Sequence, residues 1–272
     1  MASYNEITPT TLVRLIGTPI CPVLLDVRID EDFEQDPQLL PGAIRHPFAD
    51  VAALGEKLRG KKVVLYCQKG LKISQGAAAM LRANGIQAEI LTGGQFAWRD
   101  AGLPMVNSAK LPLRDVGGRT LWVTRHRPKI DRIACPWLIR RFIDPHARFL
   151  FVAPSQVMQV AERFHAAPFD VEDTFWSHRD DKCTFETMIT EFGLSHDALD
   201  HLALIVRAAD TNRHDLAPEA AGLLAASLGL SRMFRDDLEQ LNAGMLVYDA
   251  FYRWARDAMD EGHDWPAPSK KG

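Results

Sequence analysis

The sequence predicts an α/β domain, with a parallel sheet covered by helices on both faces, followed by a mainly α-helical domain. Three observations carry this. Within residues 1–107, short apolar runs at 23–27, 62–66 and 88–91 alternate with helical stretches, the pattern of parallel strands joined by crossover helices. Residues 108–118, Ser-Ala-Lys-Leu-Pro-Leu-Arg-Asp-Val-Gly-Gly, lose all periodicity and read as a linker. Residues 119–265 begin with strand-like runs at 120–124 and 148–152 and then become overwhelmingly helical. A chain of 272 residues is long enough for two such domains, each with its own core.

In the first domain, residues 8–16 read as a helix. Thr8 caps it, Pro9 suits its first turn, and Leu12, Val13, Leu15 and Ile16 supply an apolar face. Residues 54–58 and 74–83 are further helices, the latter with Ala77, Ala78, Met80 and Leu81 at helical spacing. In the second domain the predicted helices are 136–143, 155–164 capped by Ser155, 182–192, 196–211, 218–228 and 235–259. Trp137, Leu138 and Phe142 face inward from the first of these, and Asp144-Pro145 ends it. Helix 196–211 is apolar nearly all round and belongs at the centre of its domain. Asp210 near its C-terminus opposes the helix dipole, which implies a cationic neighbour.

The net charge of −3, with 47% hydrophobic and 25% charged residues, describes an ordinary globular chain and argues against a general nucleic-acid surface. No apolar run approaches membrane-spanning length, and Met-Ala-Ser-Tyr-Asn-Glu lacks the features of a leader, so a cytoplasmic protein is expected. Cys21, Cys67, Cys135 and Cys183 form no C-x-x-C pair, so neither a disulfide framework nor a zinc ribbon is suggested.

Cys67 is the candidate nucleophile. A short apolar strand delivers it into the loop Cys67-Gln68-Lys69-Gly70-Leu71-Lys72-Ile73, and a helix follows. Loop N–H groups and the positive end of the helix dipole converge in that geometry, favouring bound anions and the thiolate, while Lys69 and Lys72 add positive charge. The bland alternative is a buried structural cysteine at a strand end. Asp26 and Arg28 read as an ion pair that fixes the loop architecture, with Arg28 also a candidate for the anion site.

This stretch resembles the active-site loop of the rhodanese family of sulfurtransferases, with Cys67, Gly70 and the cation Lys72 in place. Leu25-Asp26-Val27-Arg28, Leu40-Pro41-Gly42-Ala43-Ile44, and Leu91-Thr92-Gly93-Gly94 followed by Trp98 and Gly102-Leu103-Pro104 match further family motifs in the same order. The resemblance implies persulfide transfer through Cys67 from thiosulfate or another persulfide, with Lys69, Gly70, Lys72 and Arg28 around the donor and no cofactor. Two departures stand out. Lys72 replaces the usual arginine fork with a point charge, and Ser74 lies one residue later than the family's serine. A cysteine phosphatase of this fold needs arginine where Ile73 stands, so that activity is disfavoured.

In the second domain, His178-Arg179-Asp180-Asp181-Lys182-Cys183-Thr184-Phe185-Glu186, Ile130-Asp131-Arg132 and the stretch 137–144 resemble the C-terminal domain of chromate-resistance B proteins. That implies a role in chromate or oxidative stress with metal or oxyanion handling. Regulators of that family carry an N-terminal DNA-binding region; here a sulfurtransferase-like domain stands in its place, which argues against a repressor. His178, Glu186 and Asp210 are candidate ligands for a divalent metal, manganese, iron or zinc. The bland reading makes His178 a surface residue and leaves Glu186 to cap its helix or pair with Arg179. Cys183, three residues before Glu186, is a candidate fourth ligand, though it reads better, like Cys135, as a small buried residue, and His201 reads as a satisfied core histidine. The basic run Arg125, His126, Arg127, Lys129, Arg132, Arg140 and Arg141 is either a solvated face or a site for chromate or another oxyanion. The function expected is a sulfurtransferase coupled to a metal- or oxyanion-binding domain. The alternative is a non-enzymatic redox or chromate sensor.

Overall fold

The computed structural model describes residues 5–262; residues 1–4 at the start of the first assigned domain and 263–265 at the end of the second lie outside them. The chain begins with β1 (Glu6–Ile7), α1 (Pro9–Val13), β2 (Val23–Asp26), α2 (Asp30–Gln35), β3 (Gln38–Leu39) and β4 (Ile44–Arg45). A 3-10 stretch (Phe48–Leu54) then leads into α3 (Gly55–Leu58), β5 (Lys62–Tyr66), α4 (Lys72–Ala83), β6 (Gln87–Leu91), α5 (Gly94–Asp100) and β7 (Val106–Asn107). The main sheet is parallel, in the order β1-β6-β5-β2-β4. Its strands obey the two-residue period of a buried sheet: Val63 and Leu65 pack on Ala77, Ala78 and Leu81 of α4, whereas Val64 and Tyr66 face the opposite core. Cys67, next in that alternation, emerges on the α4 side at the carboxyl end of the central strand.

Thr8 caps α1 by accepting from Thr11 N at 3.2 Å, as its sequence implies, but the α-helix ends at Val13 rather than at residue 16. The stretch assigned as linker does not hang free. β7 pairs antiparallel with β3, the Ser108 hydroxyl donates to Pro37 O, and Lys110 pairs with Glu191 at 2.9 Å.

The second half comprises β8 (Leu121–Arg125), α6 (Asp131–Leu138) continued by a π-helical turn (Ile139–Ile143), β9 (Arg148–Val152), α7 (Val157–Phe164) and β10 (Ala167–Pro168). Four helices follow: α8 (Thr184–Phe192), α9 (Asp197–Asp210), α10 (Ala220–Met233) and α11 (Asp237–Asp257). The strands form a small parallel sheet in the order β10-β8-β9, with α7 packed on one face through Val157 and Ala161. Pro136 does not begin its helix: α6 starts at Asp131 and Pro136 lies inside it, while Ile130 before it takes φ +38°. Ser155 does not cap α7, which begins two residues later after a 3-10 turn. As its composition requires, α9 is buried at the centre, with Leu199, Leu202, Ile205, Val206 and Ala208 fully enclosed.

One continuous apolar core joins the two halves. Leu12, Ile16, Leu24, Tyr66 and Trp98 belong to the same cluster as Trp122, Trp137, Phe142 and Leu199. At the seam Gly42 N donates to Phe142 O at 2.5 Å. Gly17, at φ +76°, lets Phe142 and Tyr252 come so close that a Cβ there would lie 2.5 Å from the Phe142 ring. Among the described residues no helix is long and apolar enough to cross a membrane.

Candidate active site and acidic cluster

Cys67 leaves β5 and the chain turns through Gly70 (φ +69°) into α4. The loop is clamped from behind by the start of α5, where Gln95 N and Phe96 N donate to Cys67 O and Gln68 O, each at 3.0 Å. Contact is so close that a Cβ on Gly94 would lie 2.3 Å from Cys67 O and one on Gly70 2.6 Å from Leu91 O. This is the physical role of the Leu91-Thr92-Gly93-Gly94 stretch.

Ser74, despite its one-residue displacement, points into the loop: its Oγ lies 3.3 Å from Cys67 Sγ and 3.2 Å from Leu71 O. Its single proton has two acceptors, and ionisation of the thiol draws it to sulfur. Burial pushes the Cys67 thiol up, but hydrogen bonds from the Ser74 hydroxyl and from the backbone N–H groups of Ser74, Leu71 and Lys69 outweigh it, so Cys67 lies below the ordinary thiol value. A cavity of about 490 Å3 opens over the sulfur, lined by Ile29, Asp32, Gln68, Lys69, Leu71, Lys72 and Ile73. Gly70 shapes this loop, and Lys69 and Lys72 stand at its rim.

Arg28 is not among the lining residues, and its assignment to the donor site is corrected here. Its side chain and that of Asp26 are fully enclosed. Nη2 lies 2.6 Å from Asp26 Oδ2 and 2.7 Å from Gln38 O, and Nη1 donates to Asp36 O at 2.9 Å. With its donors committed to the loop behind β2, Arg28 is a structural ion pair.

In the second half a different constellation forms. His178 Nε2 is surrounded by Asp131 Oδ2 at 3.5 Å, Asp170 Oδ1 at 3.4 Å and Asp210 Oδ2 at 3.4 Å. Asp210 therefore has the cationic neighbour that its place at the end of α9 implies. Asp131, at the first position of α6, is 1% exposed and accepts from Thr184 N at 2.6 Å, so it sits at the positive end of α8. Asp170, at φ +52° after β10, accepts from the Thr184 hydroxyl at 3.0 Å and pairs with Arg125 at 2.9 Å and Arg132 at 3.3 Å. Its hydrogen bond to His178, opposed by burial and aided by the charges of Asp131, Asp170 and Asp210, pushes the imidazole up to about 9. Burial first, then the other carboxylates, push Asp131 and Asp210 up. Burial acts on Asp170 too, but the His178 and Arg125 hydrogen bonds outweigh it and carry Asp170 down.

Glu186 does not join this cluster, which corrects its assignment as a ligand. Its Oε2 accepts from Cys183 N at 3.0 Å, completing a capping box at the start of α8, and lies 3.6 Å from Arg207. Cys183 and Cys135 are wholly buried. His201 is not satisfied: its Nε2 is enclosed without a hydrogen-bond partner, with the ring edge-on to Trp254. The basic run disperses instead of converging. Arg125 and Arg132 hold Asp170, the Arg127 guanidinium caps Phe234 O and Ser231, Arg140 meets Asn242, and Arg141 grips Asp249 with two hydrogen bonds. Asp131 and Asp170 were not singled out as ligands from the sequence. The available signal was an acidic residue between apolar ones, in Ile130-Asp131-Arg132-Ile133 and Phe169-Asp170-Val171, where a buried carboxylate needs a reason.

Two family models match the chain: a rhodanese-like domain over residues 8–101, followed by the C-terminal domain of ChrB over residues 122–255. Among relatives, Protein ChrB of Cupriavidus metallidurans is 31% identical over 192 residues, covering 65% of this chain and 57% of that protein. The chain thus matches less than two thirds of that relative's length. A sulfurtransferase of Allochromatium vinosum is 27% identical over 103 residues, covering 38% of this chain and 94% of that protein. The crystal structure of a rhodanese-related protein from Thermoplasma volcanium shares 26% identity over 39% of this chain and 100% of its own, with a TM-score of 0.34.

Proposed function

We propose that the chain is a sulfurtransferase working through a Cys67 persulfide, its second domain adapting that chemistry to chromate or oxidant stress. The observation that carries this reading is the Cys67 thiol held below its ordinary value by the Ser74 hydroxyl and three loop N–H groups, at the floor of an open cavity rimmed by two lysines. The thiolate attacks the outer sulfur of thiosulfate. A Cys67 S–S bond forms, the S–S bond of the donor breaks, and sulfite leaves with its electron pair. Lys69 and Lys72 hold the anionic donor, and the loop N–H groups stabilise the terminal persulfide anion until an acceptor nucleophile takes that sulfur. An organic persulfide reacts the same way, with a thiolate leaving. Four free cysteines fit a reducing compartment, so we place the activity in the cytoplasm.

Steady-state transfer from thiosulfate to cyanide tests this. The wild-type chain turns over repeatedly, and Cys67→Ser abolishes turnover while the thermal midpoint stays within a degree or so, because only the nucleophile is lost. Equal activity in the variant, or a wild type without multiple turnover, overturns the enzyme reading in favour of a non-enzymatic redox sensor.

A further inference from the structure

We infer that Asp131, Asp170, His178 and Asp210 form a binding site for one divalent transition metal, with zinc the best fit. The inference concerns the second domain and stands or falls independently of sulfur transfer. The four groups come from four places in the chain, the start of α6, the turn after β10, the loop before α8 and the last residue of α9, and the three carboxylates converge on His178 Nε2. Ligand atoms of Asp131, Asp170 and His178 all lie within 4.8 Å of one another.

The spacing is informative. Four ligands about 2.1 Å from a tetrahedral ion lie about 3.4 Å from each other. The three carboxylate oxygens lie 3.4 to 3.5 Å from His178 Nε2, and Asp131, Asp170 and His178 form a mutually close set that Asp210 adjoins only through the histidine, so it closes the shell by a small side-chain shift. Charge points the same way. Among the described residues, neither Asp131 nor Asp210 has a lysine or arginine within ion-pair distance; their one cationic partner is the same imidazole nitrogen. Asp131 is 1% exposed, and a carboxylate so deeply buried is normally paired or bound to metal. A divalent ion between the three carboxylates supplies the missing charge, while Arg125 and Arg132 hold Asp170 in place from outside. The imidazole selects zinc, manganese or iron over calcium and magnesium, which take oxygen ligands. A cavity of about 530 Å3 reaches His178 and Asp170 from solvent, giving the ion a path and leaving room for water or an anionic ligand beside it.

The test is metal content of the full-length chain after incubation with zinc, manganese or ferrous iron and exhaustive dialysis. Wild type retains about one zinc ion per chain and unfolds at a higher temperature than after chelation. Asp131→Asn and His178→Ala each lose the ion, whereas Glu186→Gln keeps it. Should Asp131→Asn fail to fold, His178→Ala decides, because that side chain is half-exposed and its removal leaves the core intact. Circular dichroism verifies folding of each variant. A wild type that retains none of the three metals, a His178→Ala chain that holds as much zinc as wild type, or loss of zinc from Glu186→Gln overturns the assignment. The four residues would then be an ion-pair network in which a protonated His178 neutralises its neighbours.

Discussion

At the scale of single residues, the chemistry of Cys67 depends on whether hydrogen bonds or burial wins, and here the hydrogen bonds win. The sign follows directly: a thiol held below its ordinary value carries more thiolate at neutral pH than an ordinary cysteine, and loses reactivity as pH falls through the lowered value. Alkylation of the full-length chain by iodoacetamide, followed at Cys67 by peptide mass spectrometry, should show a midpoint below that of an unstructured cysteine peptide in the same buffer. Ser74→Ala removes a donor from the sulfur and should move that midpoint upward, with a several-fold loss of turnover near neutral pH. An unchanged midpoint would mean that the backbone N–H groups alone set it. Residue chemistry was partly legible in the sequence. The nucleophile could be read from its loop because strand, glycine, lysines and helix are contiguous. Arg28 could not be placed, since the same motif allows its guanidinium to face either a bound anion or Asp26, and only packing decides. Glu186 was misassigned for a related reason: a carboxylate three residues into a helix caps its own N-terminus more cheaply than it reaches a distant histidine.

At the scale of elements, the active loop owes its shape to a neighbouring turn rather than to its own residues alone. The Gly93–Gly94 corner and the start of α5 support the carbonyls of Cys67 and Gln68. Gly94→Ala adds a Cβ at φ +60°, 2.3 Å from Cys67 O, so the loop must move. We expect a loss of about 1–3 kcal/mol in denaturant unfolding, from the strained conformation and the clash. Turnover should fall more than stability does, because the displaced N–H groups no longer converge on sulfur. Wild-type turnover in Gly94→Ala would show that the corner does not shape the site. The three longer strands of the first sheet, β2, β5 and β6, were readable to within a residue, since short β-rich runs bounded by turn residues have few alternatives, whereas the two-residue β1 and β4 were not. The start of α6 was not. Proline commonly opens a helix, but Pro136 lies inside α6, and the true start follows an isoleucine at positive φ that no local preference would suggest. The two-residue strand β10 contains Pro168 and was likewise invisible; its pairing with β8 depends on the tertiary fold.

At the scale of the whole molecule, two domain classes share one apolar core and a linker tied down at its start, so the site on β5 and the cluster of Asp131, Asp170, His178 and Asp210 belong to a single packed body. The division into two halves was visible in composition. Their fusion through Gly17, Gly42 and Phe142 was not, because contacts between distant segments leave no periodicity. Asp131 and Asp170 were missed as partners of His178 for the same reason: residues far apart in sequence become neighbours only after the sheet and helices have packed. The proposed sulfur transfer rests on one covalent intermediate. The most direct measurement is mass spectrometry of the full-length chain after exposure to thiosulfate or an organic persulfide. The account predicts a gain of one sulfur atom located at Cys67, absent from Cys67→Ser, and removed by cyanide with release of thiocyanate. A chain that gains no sulfur at Cys67 from either donor, or keeps it in the presence of cyanide, would contradict the account.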